Sequence, residues 1–167
     1  MSRLLDTYET VVSPSYRLFG LVDTTVDTYG PDADDAHWLI SAPGLVYLQV
    51  PSQVINLAVR LESWSTLPPE KDAHWFGREE VEVELPGGDL GIHAIDGGVQ
   101  RVPLILPSPG LYKMRWQWMF NGARGPFTSP LSWRTLQIPP GQEEELGGKD
   151  QYCLVQIWRI AADVKAG

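Results

Sequence analysis

The sequence predicts an all-β protein: a single-domain antiparallel β-sandwich of the jelly-roll or Greek-key type, with long loops. Segments that alternate apolar and polar residues recur at a spacing of roughly 8–12 residues, with turn residues between them. No apolar pattern keeps a helical period for more than about ten residues. The 167 residues include 14 prolines, 16 glycines and seven tryptophans, which favours many turns and an aromatic core.

The strongest strand pattern follows the turn Pro109-Gly110. Its side chains alternate between two sides, Tyr112, Met114, Trp116 and Trp118 against Lys113, Arg115 and Gln117. A period of two places one side in a core and the other in water. The inward side chains are too large for one neighbour to cover, so we expect a central strand with a second layer opposite.

The first half of the chain contains four further strand patterns. Residues 1–10 are predicted to be a flexible polar lead-in, and 16–22 a strand covered on both faces. Residues 23–37 have loop composition, and strand patterns resume around Trp38 and over 45–50. Residues 54–62 alternate most clearly of these.

The second half continues the pattern to the C-terminus. Residues 79–85 and 90–95, joined by Pro86-Gly87-Gly88-Asp89, are predicted to form a hairpin. Pro103 indicates an edge position or a bulge in the segment 99–106. A short strand is expected within 131–138, a mobile excursion over 139–149, a closing strand over 152–160 and a flexible tail over 161–167. The predicted core is Ile55, Leu57, Val59, Leu61, Val81, Val83, Tyr112, Met114, Trp116 and Val155.

The formal net charge of −8 and the pI near 4.8 limit the classes of partner. An acidic surface opposes nucleic-acid binding, because phosphate contacts require cations. It favours a basic protein partner and steers that partner's approach. A single cysteine excludes an intramolecular disulfide and suits a reducing compartment. With neither a signal-peptide pattern nor an apolar run of about 20 residues, we expect a soluble cytoplasmic protein away from membranes.

The best metal-ligand candidates are four residues within one short segment, Asp32, Asp34, Asp35 and His37. The order of ligands in an EF-hand loop is missing from this segment, so the favoured interpretation is a solvated acidic loop with no metal. Cys153 lies within an apolar strand and is interpreted as a packing residue. Nucleophile-elbow, phosphate-loop and dinucleotide-binding motifs are absent from the sequence, so no catalytic residue and no cofactor are predicted.

Tryptophans at strand ends or in loops are the main candidates for binding. Such residues commonly cap the ends of a sandwich, but they are also enriched at interfaces and in sugar-binding platforms. If some are exposed, Trp64 and Trp75, which flank Pro68-Pro69, are the favoured pair, and Trp133 is a third candidate.

The order of strands and turns resembles a group of small actinobacterial β-sandwich proteins. The features that carry this resemblance are residues 54–75, 79–95, 109–112 and 152–158, with Arg124 at a position that is also basic in those relatives. More distantly, the pattern is similar to the competence J family, small acidic β-proteins that inhibit a DNA-entry nuclease. That resemblance implies an acidic sandwich that acts as an inhibitor.

Three functions remain open from the sequence. The first is a non-enzymatic, immunity- or inhibitor-like protein that binds and masks a basic protein. The second is a small-ligand or carbohydrate-binding sandwich that stacks its ligand on Trp64, Trp75 or Trp133, with Arg124 as a further binding candidate. The third is an enzyme whose site is built from loops. We expect the first.

Overall fold

Two five-stranded sheets are present in the part of the chain that the structure describes. The structure is a computed structural model that describes residues 2–14, 17–26, 36–70, 74–94, 98–139 and 146–161. The strands are β1 (Leu4–Val12), β2 (Leu18–Asp23), β3 (Leu39–Ala42), β4 (Leu45–Gln49), β5 (Leu57–Trp64), β6 (Gly77–Leu85), β7 (Leu90–Ala94), β8 (Gly98–Arg101), β9 (Gly110–Phe120) and β10 (Gln151–Ala161). A short 3-10 helix, Gly122–Arg124, follows β9.

The first sheet has the strand order β1-β5-β10-β9-β6, and the second has the order β3-β4-β2-β7-β8. Neighbouring strands are antiparallel, except that β10 runs parallel to β5. The predicted all-β sandwich is therefore confirmed, with one parallel pair inside an otherwise antiparallel architecture.

The two sheets enclose one main core. The alternating residues of β9 point into it as expected, and Tyr112, Met114 and Trp116 are fully buried. The ring of Trp116 meets that of Phe19 from the second sheet edge to face, with centroids 5.7 Å apart. Aromatic pairs in this geometry add stability beyond the area they bury. The Tyr112 hydroxyl donates back to the Ser108 carbonyl, which fixes the entry into β9.

The central strand of the first sheet is β10, not β9 as the sequence suggested. Strand β10 lies between β5 and β9, and both of its faces are covered, with Cys153 and Leu154 each almost fully buried. The large inward side chains of β9 show which face is buried, but they carry no information on how many strands lie to either side.

The predicted hairpin over 79–95 is wrong. Strand β6 belongs to the first sheet and β7 to the second, so the connection through Pro86 crosses between the layers. The fully buried carboxylate of Asp23 helps to hold this crossing, since it accepts from the Gly87 N–H at 2.8 Å. An alternating pattern identifies a strand but not its partner, and a short turn can lead to either sheet.

The expected polar lead-in contains most of edge strand β1, which pairs with β5. The strand predicted over 54–62 begins later, at Leu57. Ile55, predicted to be core, is 66% exposed, because its backbone N–H and that of Asn56 donate to the Asp150 carboxylate outside the ladder. Residues 131–138, all described, form no strand; the bridge between Thr128 and Thr135 is isolated.

Most of the remaining core prediction is confirmed. Val81 is partly buried and packs against the core, and the other predicted members are buried. At the C-terminus, β10 includes Ala161, while residues 162–167 of the predicted tail and 140–145 of the predicted excursion lie outside the described residues.

Candidate functional site

A buried polar network covers the outer face of the first sheet. At its centre the Gln156 Oε1 accepts from Arg115 Nη1 at 3.3 Å and from Gln117 Nε2 at 3.2 Å. The Gln156 Nε2 donates to Glu62 Oε1 at 3.0 Å. These four side chains are cross-strand neighbours on β5, β10 and β9, and all four are buried. Buried polar groups are costly unless paired, so this pairing allows the face to be covered.

The connection between β5 and β6 provides part of the cover. The carbonyl oxygens of Pro68 and Pro69 accept from Arg115 Nη1 at 3.4 and 3.5 Å. Proline has no backbone N–H, so this dipeptide cannot continue a ladder, and its carbonyl oxygens accept from a side chain instead. The segment that contains Pro68 and Pro69 therefore lies over the outer face of the sheet at Arg115.

Glu62 carries the negative charge of the network. Burial raises its pKa, but hydrogen bonds from Arg60 Nε at 2.8 Å, from Gln156, and from Trp64 Nε1 at 2.9 Å outweigh this, so that the pKa of Glu62 falls below its ordinary value. A carboxylate that accepts several hydrogen bonds stays ionised even where solvent is scarce.

Edge strand β6 presents a row of outward carboxylates, Glu80, Glu82 and Glu84, which we call the acidic row. Glu80 accepts from Arg115 Nε at 3.0 Å and lies 3.8 Å from Lys113 Nζ. Glu82 and Glu84 have no ion-pair partner among the residues that the structure describes. Glu80 and Glu82 are exposed and Glu84 is half-buried, and Glu80 is also tied to the network.

The structure separates Trp64 from Trp75. Trp64 lies opposite Trp158 in the β5–β10 ladder, and its indole N–H donates to Glu62. Trp75 stacks on Tyr152, with ring centroids 5.9 Å apart. Tyr152 and Trp158 are six residues apart on β10; at about 3.3 Å per residue they lie about 20 Å apart. Both tryptophans are half-buried, so they do not form a shared exposed platform.

Trp133 is the candidate tryptophan that is mostly exposed, at 61%. The Arg17 guanidinium lies 4.2 Å from the centre of its ring, a cation–π contact. Both residues have positive φ angles, 63° for Trp133 and 60° for Arg17, a strained conformation for side chains of this size. Three hydrogen bonds to Ser129 hold the turn. The Trp133 N–H donates to the Ser129 carbonyl oxygen at 3.0 Å, and the N–H groups of Leu131 and Ser132 donate to its Oγ at 3.1 and 3.2 Å.

Arg124 lies in the same connection between β9 and β10. Its Nη2 donates to the Gly148 carbonyl at 2.6 Å, and the residue is exposed. Arg124 therefore contacts the backbone of the β9–β10 connection in which it lies.

Three of the four metal-ligand candidates, Asp32, Asp34 and Asp35, lie outside the described residues. His37 is described and influences Glu79, which points inward from β6: burial raises the pKa of Glu79, and the charge of His37 opposes that rise. Over the described ranges, no group of three or more His, Cys, Asp or Glu side chains could hold a metal ion.

Cys153 points into the core from β10 and is fully buried. Burial raises the pKa of its thiol well above the ordinary value, which leaves it protonated and inaccessible to substrates. Its interpretation as a packing residue agrees with this position.

None of the helices in the described part of the chain is long and apolar enough to cross a bilayer.

No protein-family model matches the chain, and no curated protein matches it. Among solved structures, the chain is similar to ComJ, the inhibitor of the DNA-degrading activity of NucA from Bacillus subtilis, with a TM-score of 0.61, 11% identity, and 96% of this chain and 99% of that one covered. It is also similar to the protein of crocagin biosynthetic gene J, with a TM-score of 0.51, 18% identity and the same coverage. At these identities the likeness is one of fold. The expected resemblance to the competence J family is confirmed at that level.

Sequence reasoning missed the polar network and the partner of Trp133. Arg115, Gln117 and Gln156 sit at outward positions of their strands, which alone suggests contact with solvent. The available signal was the closing strand at 152–160, which is apolar on both sides and therefore predicts cover on both faces. No pattern in the sequence signals that Arg17 meets Trp133, because the two are far apart in the chain.

Proposed function

We propose that this protein is a non-enzymatic binding protein that masks a basic protein partner, with the acidic row as part of its contact surface. The observation that carries the proposal is the position of Glu82 and Glu84. Both point outward on an edge strand, and neither forms an ion pair among the described residues, although Lys113 lies opposite Glu82 in the ladder. Carboxylates that form no ion pair within the molecule remain available to attract an external cation.

The fold likeness supports the same class of function. ComJ inhibits a nuclease, and this chain shares its architecture over nearly the whole length of both proteins. A net charge of −8 adds a long-range attraction for basic partners, which raises the rate of encounter and weakens with salt.

The experiment begins with affinity capture at low and high salt and continues with the purified basic partner. Replacing Glu82 by Lys inverts one charge of the acidic row, and we expect the dissociation constant to rise about tenfold or more, because a cation of the partner would face a cation. Titration calorimetry at two salt concentrations measures this change.

The matched control is Glu9→Lys, which changes the net charge equally on the opposite edge strand of the same sheet, where Glu9 pairs with Arg60 at 3.0 Å. Equal losses of affinity for the two variants would show that only total charge matters, and the acidic row would not be the contact surface. Failure of any basic protein to bind at moderate salt would refute the proposal as a whole.

A second function, binding of a small ligand or carbohydrate by stacking, is favoured by one observation, the exposed ring of Trp133. In protein labelled with fluorotryptophan, a glycan or metabolite that stacks there should shift one fluorine resonance, identified by its absence in Trp133→Phe. If that resonance stays unchanged across a broad panel, this function is eliminated.

A further inference from the structure

The two lateral edges of the sandwich are filled in different ways. Where β6 lies over β3, four aromatic rings pack together: Trp38 has its ring centroid 5.8 Å from those of Phe76 and Trp118, and 6.4 Å from that of Phe120. Sheets that pack face to face are about 10 Å apart, so large side chains are needed to close the space between them. At this edge the space is closed.

At the opposite edge, β1 lies over β8, and several inward positions hold small residues, although Tyr8 also faces inward, opposite Leu61, and lines the space. Thr10 pairs with the core residue Val59, and Ala94 pairs with the core residue Phe19, so both face the interior. Gly98 pairs with Ala94 in the β7–β8 ladder and shares its face. Side chains of this size are too short to reach across the gap between the sheets.

A cleft of about 230 Å³ results. Its floor is apolar and buried, formed by Val12, Ile92 and Val102. Thr10 and Gln100 line it as well, and their side chains make no hydrogen bond within the part of the chain that is described. The cleft thus combines an apolar floor with free donors and acceptors, as small-molecule sites do.

The cleft carries no unpaired charge among its described lining residues. Arg101 is the ionisable cation that borders it, and its Nε donates to both carboxylate oxygens of Asp89, at 3.0 and 2.9 Å. Arg101 pairs with Gly91 on the outward face of the hairpin, so its charge is satisfied away from the floor. This arrangement favours a ligand without charge.

We propose that this edge cleft binds a small uncharged molecule made of one apolar ring or branched chain with one or two hydrogen-bonding groups. An apolar cavity of about 150 Å³ takes up benzene, and drug-sized ligands need about 300 Å³ or more, so the volume selects a single substituted ring. The apolar part packs on Val12, Ile92 and Val102, and the polar group meets Thr10 or Gln100. The proposal is independent of the masking function, because the acidic row lies at the other edge.

The test uses phenol, toluene and benzoate as probes in a methyl NMR titration of the full chain. We expect saturable shifts confined to the methyl groups of Val12, Ile92 and Val102. Phenol should bind about threefold to tenfold more tightly than toluene, because it can add one hydrogen bond. Benzoate should bind at least about tenfold more weakly than phenol, since its carboxylate would lose hydration without a free cation. Shifts that do not saturate, or that spread over the surface, would overturn the proposal.

Ala94→Phe is designed to fill the cleft, and Val99→Phe is its control. Val99 is exposed on the outward face of the same hairpin, opposite His93, so the control adds the same ring outside the cleft. We expect Ala94→Phe to abolish phenol binding and Val99→Phe to leave it unchanged. Equal binding by both variants would overturn the assignment.

Thr10→Val keeps the proposal testable even if Ala94→Phe does not fold. This substitution retains the shape of the side chain and removes its hydroxyl, so the preference for phenol over toluene should fall while toluene binding stays. Tyr8 also lines the cleft with its hydroxyl, so the set of variants includes Tyr8→Phe. A preference that persists in Thr10→Val, Gln100→Leu and Tyr8→Phe would show that none of these groups meets the ligand, and the proposed site would be wrong.

Discussion

Glu62 keeps its charge in a buried position because donors from three side chains surround its carboxylate. Arg60, Trp64 and Gln156 each supply one hydrogen bond. Hydrogen bonds to a charged acceptor are worth more than neutral ones, and leaving a buried donor unpaired is costly. The stability of the outer face therefore depends on the ionisation of this residue.

We expect Glu62→Gln to lower the free energy of unfolding by about 1–3 kcal/mol near neutral pH, because the amide replaces a charged acceptor. The pKa of Glu62 in the folded state lies below the ordinary value of 4.5. The stability that the ionised carboxylate contributes is therefore fully present above pH 4.5, and it is lost as the pH falls through the lowered pKa. The difference in the free energy of unfolding between the variant and the parent should shrink over the same pH range. Urea unfolding at a series of pH values measures it.

The control for this prediction is Glu9→Gln, whose side chain is 69% exposed beside Arg60. Exposed ion pairs contribute about 0–1 kcal/mol, so the control should change stability little. A Glu62→Gln effect that is equally small, or that does not depend on pH, would contradict the role given to this carboxylate.

At the scale of elements, β10 is the strand on which the first sheet depends. It pairs with β5 over residues 151–158 on one side and with β9 over nearly its whole length on the other, whereas β1 and β8 are edge strands with one neighbour each. Backbone hydrogen bonds at the centre of a covered sheet open only in large unfolding events, and those at edges open locally.

Hydrogen exchange measures this difference. The amides of residues 153–157 in β10 should exchange more than about tenfold more slowly than those of β8, and also more slowly than those of β1, because they are flanked by two strands and two covered faces. The comparison is made within one sample, by NMR or by mass spectrometry of peptides, so it needs no variant. If β1 were protected as strongly as β10, the edge position of β1 would be contradicted.

At the scale of the whole molecule, the proposed functional surfaces are kept apart. The acidic row belongs to the edge where β6 lies over β3, and the cleft belongs to the edge where β1 lies over β8. The exposed Trp133 lies in the connection between β9 and β10, at an end of the sandwich. A protein partner on the acidic row would therefore leave the cleft open, so the two proposals can be tested separately.

The candidate site could be predicted only in part. The outward glutamates of β6 were visible as an alternating pattern, and Trp133 was visible as a loop aromatic. The separation of Trp64 from Trp75 was not visible. The two residues are close in the chain, but the β5–β6 connection places them at different positions along β10. The cleft was also invisible, since it depends on which small residues face each other across two sheets.

The sequence by itself determined the fold class, most of the core and the acidic character of this protein. A period of two reports which side of a strand is buried, and that property is local to each segment. Only the tertiary structure decided that β6 and β7 enter different sheets, that β10 is central, that Ile55 is exposed and that a loop covers the outer polar face. These features depend on hydrogen bonds between segments distant in sequence, and an alternating pattern is the same whichever strand becomes its neighbour.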